Sequence, residues 1–209
     1  MPESSQTIHD RQRSLPPVLE SPLAGEGLEE IFQIVASGLY SLASMLVGEG
    51  EPSMRLVEAA VAKAEVSVCQ NPLEARQSSR RWLASSALDL LAEREPGSLT
   101  PPAGLAPASV CIDDDDLAAT GITTEELEGM IAGPERDRVR EWLHGLPPWM
   151  RSVFVLRAVA GFNATETAEL LARHSGTQAA EWNRETVREV YRQGLCSLAS
   201  QLLHASTER

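Results

Sequence analysis

At 209 residues the chain has room for one large domain or two small ones, and with 43% hydrophobic residues it has a globular composition. A formal net charge of −12 and a sequence pI near 4.8 argue against nucleic-acid phosphates as the main source of affinity and point to protein partners. Cys69, Cys111 and Cys196 are far apart and form no Cys-x-x-Cys pair, so neither a zinc site nor a disulfide framework is favoured.

Residues 1–26 are polar, carry Pro2, Pro16, Pro17 and Pro22, and lack the apolar core of a signal peptide; they read as a disordered leader. From Leu28 the pattern turns helical, with Ile31, Val35, Leu39, Leu42 and Leu46 at steps of three and four and Gly48 as the stop. Pro52-Ser53 opens a second helix through Leu56, Val57, Ala60, Val61 and Ala64. A third is predicted from Pro72 to Glu93, with Leu73, Trp82, Leu83, Leu88 and Leu91 as its apolar set. Trp82 is thus expected in the core, and the cluster of Arg76, Arg80 and Arg81 on a solvated face. The economical fold for residues 27–94 is a bundle of about three helices, making the chain all-α. No run approaches a membrane span, so a cytoplasmic protein is expected.

Residues 95–112 carry four prolines and two glycines with no helical period, and Asp113 to Asp116 follow as an acidic run. The stretch 95–118 is expected to be a flexible acidic linker between two domains, the second spanning 119–209. Thr123-Thr124-Glu125-Glu126 has the cap signals of a helix start, and Pro134 to Leu143 makes another helix leading into Leu146.

The densest stretch runs from Leu146 to Leu203. Pro147 and Pro148 suit a helix N-terminus, where missing N–H groups cost nothing. Trp149, Val153, Leu156 and Ala160 share one face, which Phe154, Val155 and Val159 widen, and Gly161 supplies the stop. Asn163 with Glu166 three residues on has capping-box spacing, and Ala168, Leu171 and Ala172 give the next helix a small apolar face. The last helix carries Val187, Tyr191, Leu195, Leu198 and Leu202 on one stripe, and Arg184, Arg188 and Arg192 at steps of four on another. Those arginines can meet phosphates or guanine edges, or be a solvated face paired with Glu185 and Glu189. Three short helices ending in an arginine-bearing one form the pattern of a helix-turn-helix. Ser175 and Gln178 also have capping-box spacing, which predicts that the last helix extends backwards through Thr177 to Asn183. The competing arrangement caps it at Asn183 and leaves residues 173–182 as a loop.

The stretches LPPWMRSVFVLRAVAGFNATETAELL and TVREVYRQGL resemble region 4 of bacterial RNA polymerase sigma factors, most like the small extracytoplasmic-function group. Leu146, Pro147, Arg151, Val153, Phe154, Leu156, Arg157, Gly161, Glu166, Ala168 and Leu171 follow that pattern, as do Thr186, Val187, Arg188 and Gly194. More faintly, LYSLASMLVGEGEPSMRLVEAAVAKAE and SALDLLAER resemble region 2, through Leu39, Tyr40, Leu42, Ala43, Leu46, Gly48, Leu56, Val57, Lys63 and Ala64. The resemblance implies a dissociable polymerase subunit that recognises promoter DNA, with no enzymatic activity, cofactor or metal. It implies DNA contacts at Arg184, Thr186, Arg188 and Arg192 and a polymerase-facing surface at Leu56 and Val57. The implied partners are RNA polymerase core, promoter DNA and an anti-sigma protein, with no membrane.

The chain departs from the pattern in several places. About nine extra residues stand between Ala172 and Thr186, and Glu189 and Val190 replace Ser and Arg. Met54-Arg55 replace an acidic pair, Ala59 replaces an acidic residue, and Val61 and Glu65 replace aromatics. These departures support a second reading, a degenerate sigma-like interaction protein that binds polymerase or a regulator without productive DNA contact. A third is an unrelated helical repressor using only the C-terminal helix-turn-helix. His9, His144, His174 and His204 are scattered, and no metal-protease or glycine-rich phosphate-loop motif occurs, so no enzyme is expected.

Overall fold

A computed structural model describes residues 38–63, 71–102 and 136–207. Every regular element among the described residues is helical, as the periodicity predicts. None of these helices is long and apolar enough to cross a membrane. The leader, Ile31, Val35, Ala64, Asp113 to Asp116 and the helix start at Thr123 lie outside the described residues.

Helix α1 covers residues 38–47 and buries Leu39, Leu42, Ala43 and Leu46. It stops at Gly48, whose φ of 93° lies where a side chain would be strained. Helix α2 (Glu51–Ala62) has Pro52 in its first turn and turns Ser53, Leu56 and Ala60 inward. Helix α3 (Pro72–Arg94) starts at Asn71, whose side chain accepts from the Glu74 N–H, with Pro72 just inside.

Two of the residues expected in the core of α3 are outside it: Leu73 is 78% exposed and Trp82 38%. The buried stripe of α3 advances by fours, through Ala75, Ser79, Leu83, Ala87 and Leu91. Each step of four overshoots a full turn by about 40°, so the stripe winds away from Trp82, which shares the side of Ala75. Leu73 lies ahead of the stripe in the first turn.

The start of the proline-rich stretch is ordered. Residues 95–102 turn at Gly97, bury Pro101, and bury Leu99 to 2% exposure. Residues 103–118 lie outside the described residues.

Helix α4 (Arg136–Gly145) buries Val139, Trp142 and Leu143, and the predicted start at Pro134 lies outside the described residues. Helix α5 (Pro148–Ala158) buries every residue from Ser152 to Leu156, as expected of a central helix, and the chain reverses at Gly161 with φ 74°. Helix α6 (Ala164–His174) has the predicted capping box: Asn163 Oδ1 accepts from the Glu166 N–H at 3.0 Å, and Glu166 Oε2 accepts from the Asn163 N–H at 3.0 Å.

The long version of the last helix is not formed. Ser175 ends α6 and donates back to the Leu171 carbonyl at 2.7 Å, and Gly176 takes φ 57°. Gly176–Glu181 form a separate 3-10 helix, η1, and helix α7 (Arg184–Thr207) is capped by Asn183, which accepts from the Thr186 N–H at 2.8 Å. Trp182 is extended between them, with φ −88° and ψ 106°, and buries its ring. A helix running through residue 182 would forfeit both that burial and the Asn183 cap.

Val187, Tyr191, Leu195 and Leu198 bury the predicted stripe of α7 against α5 and α6. Phe154 is the aromatic centre, with Trp142 edge-on at 4.9 Å and Tyr191 at 5.6 Å between ring centroids. Helix α3 packs against α5 and α6, and the buried side chains of α1–α3 and α4–α7 form one contiguous cluster. Cys196 is disulfide-bonded, although the cysteine spacing favours no disulfide framework, and its partner lies outside the described residues. Sequence separation did not predict that pairing because the fold sets the distance.

Candidate nucleic-acid and partner interface

The predicted DNA-contacting residues do not share one environment. Arg184 is exposed at the first position of α7. Thr186 is half-buried and serves the cap: its N–H and its hydroxyl both donate to Asn183 Oδ1, at 2.8 and 3.1 Å. Arg188 is half-buried one turn on. Arg192 is turned toward its own helix, where it pairs with Glu189, whose other carboxylate oxygen accepts from Gln193 at 3.0 Å. The two α7 positions that depart from the sigma pattern are absorbed into the fold, since Val190 is fully buried and Glu189 is spent on Arg192 and Gln193.

Leu56 and Val57, read as polymerase-facing, both turn inward. Leu56 is 8% exposed in the core, and Val57 packs partly buried against it. The edge of Leu56 does reach the floor of an open groove of about 430 Å³ between α2 and the C-terminal half of α3. Pro52 and Leu90 complete the apolar floor, and Arg55, Asp89 and Arg94 stand on the rim.

The cationic cluster of α3 is engaged across the seam with α5 and α6. Arg81 pairs with Glu166 at 2.8 Å, and its guanidinium lies 5.9 Å from the centroid of the Phe162 ring. Arg80 donates to the Ala160 carbonyl at 3.4 Å. Trp82 beside them is 38% exposed, with Lys63 Nζ over its ring, 4.9 Å from the centroid. A flat aromatic beside cations is the local chemistry of a single-strand stacking surface.

One cluster escaped the sequence reading. His174 Nδ1 lies 2.6 Å from Asp89 Oδ1, and His174 Nε2 lies 3.1 Å from Ser85 Oγ. An imidazole protonated on Nδ1 donates to Asp89 and accepts from Ser85. This is the connectivity of a hydrolytic triad. Ser85, however, sits inside α3, where neighbouring backbone N–H groups close the helix and do not converge on an oxyanion. The cluster ties α3 to α6. Its signal was Ser85 and Asp89 one turn apart on a helix; the histidine is 85 residues from Asp89 in the chain and only folding selects it.

A second histidine lies where the loop after α1 meets α4 and α5. Arg140 pairs there with Glu49. Burial, then the charges of Arg151 and Arg140, hold the His144 pKa below its ordinary value of 6.5, with Glu49 opposing them. A depressed histidine pKa means that the folded state prefers the neutral ring. His144 therefore leaves stability unchanged above pH 6.5 and lowers it as pH falls from 6.5 through the folded-state value. Urea midpoints between pH 7.5 and 5 are expected to fall less for His144→Gln than for the unaltered chain; equal slopes would show that His144 does not report the fold.

No protein-family model, no curated protein and no solved structure matches this chain.

Proposed function

We propose that the chain is a sigma-like transcription initiation protein. In this reading α6 and α7, braced by α5, act as a helix-turn-helix that recognises promoter DNA, while the α1–α3 set docks on RNA polymerase core. The supporting observation is the exposed start of α7: Arg184 stands at its N-terminus with Thr186 and Arg188 within the next turn. The N-terminal part of a recognition helix is the part that enters the major groove. Arg192 is excluded from the contact set by its pair with Glu189. The groove between α2 and α3, with its apolar floor and charged rim, is the polymerase-facing surface in place of Leu56 and Val57 as such. The two sets of helices correspond to two sigma-type domains, an anti-sigma protein is the expected regulator, and the site of action is the cytoplasm.

The test is co-purification with core polymerase followed by transcription from a genomic promoter library. A complex that yields discrete start sites is expected, and Arg184→Ala should weaken promoter binding by about 1–3 kcal/mol. Absence of any complex with core polymerase overturns the reading.

The Arg192–Glu189 and Arg81–Glu166 pairs, with the net charge of −12, favour a second reading. It is a sigma-like interaction protein that binds polymerase or a regulator without productive DNA contact. A stable polymerase complex that produces no promoter-specific transcript selects it.

A further inference from the structure

We propose that Arg140, His144 and Arg151 form a binding site for a small tetrahedral dianion, either free phosphate or a phosphomonoester. The inference goes beyond the sigma-like reading and does not depend on it.

Three segments supply the cluster. Arg140 and His144 are four residues apart on α4 and so share a face. The turn between α4 and α5 is closed by the Leu146 N–H, which donates to the Leu143 carbonyl at 3.1 Å, and Arg151 follows early in α5. Glu49, in the loop after α1, joins them through its pair with Arg140.

Donors outnumber acceptors here. Arg151 is half-buried, and its Nε is sealed from solvent with no hydrogen-bond partner. Arg140 keeps 24% of its side chain exposed; its Nη1 donates to Glu49, while its Nε is likewise sealed and unpartnered. A guanidinium carries five N–H donors and no acceptor. A buried donor left without an acceptor destabilises the fold, and a bound ion is one of the usual ways in which such groups are satisfied.

Charge is out of balance in the same sense. The charges acting on His144 are Arg151 from α5, Arg140 from α4 and Glu49 from the loop after α1. Glu49 is 60% exposed and offsets at most one of the two half-buried guanidiniums. Burial holds the Arg151 pKa below its ordinary value, and no carboxylate acts to restore it. Burial, then Arg151 and Arg140, do the same to His144. Two guanidiniums less one carboxylate leave one positive charge, and protonation of His144 makes two. A dianion meets that sum, whereas a carboxylate or a phosphodiester carries a single charge. Guanidinium groups also bind the oxygens of a phosphate in a fork.

Binding should draw a proton onto His144. A bound dianion opposes the two arginines at the ring and raises its pKa, so affinity increases as pH falls through the value in the complex. Each unit of that rise strengthens binding about tenfold.

The test is calorimetry on the full chain in chloride buffer at constant ionic strength, with sulfate, inorganic phosphate, adenosine monophosphate and dimethyl phosphate as probes. Sulfate stays doubly charged from pH 7.5 to pH 5, so its pH dependence reports the protein alone. One sulfate per chain is expected, bound about tenfold more tightly at the lower pH. His144→Gln should abolish that dependence, and Arg151→Gln should weaken binding about tenfold or more, with Arg151→Lys between them. Glu49→Gln should tighten binding, because Arg140 loses its competing carboxylate. Dimethyl phosphate should bind more weakly than phosphate, and the tighter of phosphate and adenosine monophosphate assigns the source of the dianion. In sulfate-free buffer Arg151→Gln should unfold at the same urea concentration as the unaltered chain or a higher one, since it removes a half-buried charge without a partner. Sulfate should then raise the midpoint of the unaltered chain alone. Undetectable sulfate binding overturns the site, as does equal binding by Arg151→Gln or an affinity independent of pH. Dimethyl phosphate binding as tightly as phosphate overturns the dianion. A large loss of stability in anion-free Arg151→Gln would show that the fold itself partners the guanidinium, and also overturns the site. Polymerase and promoter enter none of these measurements, so this site and the sigma-like reading fail separately.

Discussion

Phe154→Ala is expected to destabilise the protein by about 3–5 kcal/mol, the range for truncating a buried aromatic. Domains of this size are commonly stable by only about 5–15 kcal/mol, so the loss would be a large share of the whole. Phe154 is fully buried in α5, between the ring of Trp142 on α4 and the ring of Tyr191 on α7. Its removal opens a cavity where three helices meet, and neither neighbour is free to fill it. Trp142 is held through Nε1 to Ser197 Oγ at 3.0 Å, and Tyr191 lies 5.1 Å from the Arg157 guanidinium. Urea unfolding followed by far-ultraviolet circular dichroism reads the loss. A change below about 1 kcal/mol would mean that the pocket collapses around the missing ring. Under the proposed sigma-like function, promoter binding should weaken in step, since α7 packs on α5 through this contact.

Gly194→Ala is the second large effect, and its sign runs against helix propensity. In the interior of a helix, Ala is favoured over Gly by about 1 kcal/mol. At this position a Cβ would lie 2.9 Å from Cδ2 of Phe154, too close for a non-bonded carbon pair. The Phe154 ring cannot retreat, because Trp142 and Tyr191 pack against it. Overpacking of this kind costs about 1–3 kcal/mol, so the net change is expected to be destabilising. The measurement that isolates the cause is a double-mutant cycle with Phe154→Leu. In the leucine background Gly194→Ala should be neutral or stabilising, giving a coupling energy of about 1–3 kcal/mol. Additive effects would place the cost of the added methyl somewhere other than the Phe154 ring.

Both substitutions act at positions that fall on the sigma-like pattern, and both have a packing explanation that needs no function. The pattern residues Val153, Phe154, Leu156, Ala168, Leu171 and Val187 are likewise buried. The departures from that pattern carry more functional information: an acidic Glu189 that pairs with Arg192, and a segment before α7 that docks on Leu99.

Element ends were legible wherever the signal is carried by a few neighbouring residues. Asn71-Pro72, Pro147-Pro148, Asn163 with Glu166, Gly48 and Gly161 mark their boundaries in the chain and in the fold, because a cap or a left-handed glycine satisfies backbone groups within one turn. The segment from Ser175 to Asn183 carried two local signals of similar strength, and local chemistry could not choose between them. The choice fell to Trp182, whose ring finds a buried partner 83 residues away at Leu99. The same long reach explains the buried Leu99 in a proline-rich stretch, the exposed Trp82 on a winding stripe, and His174 held between Ser85 and Asp89. A helix records in its own sequence which of its sides is apolar. It does not record which distant segment will cover that side, because that depends on how the other helices pack, and in this protein the seam between α3 and α6 follows from that packing.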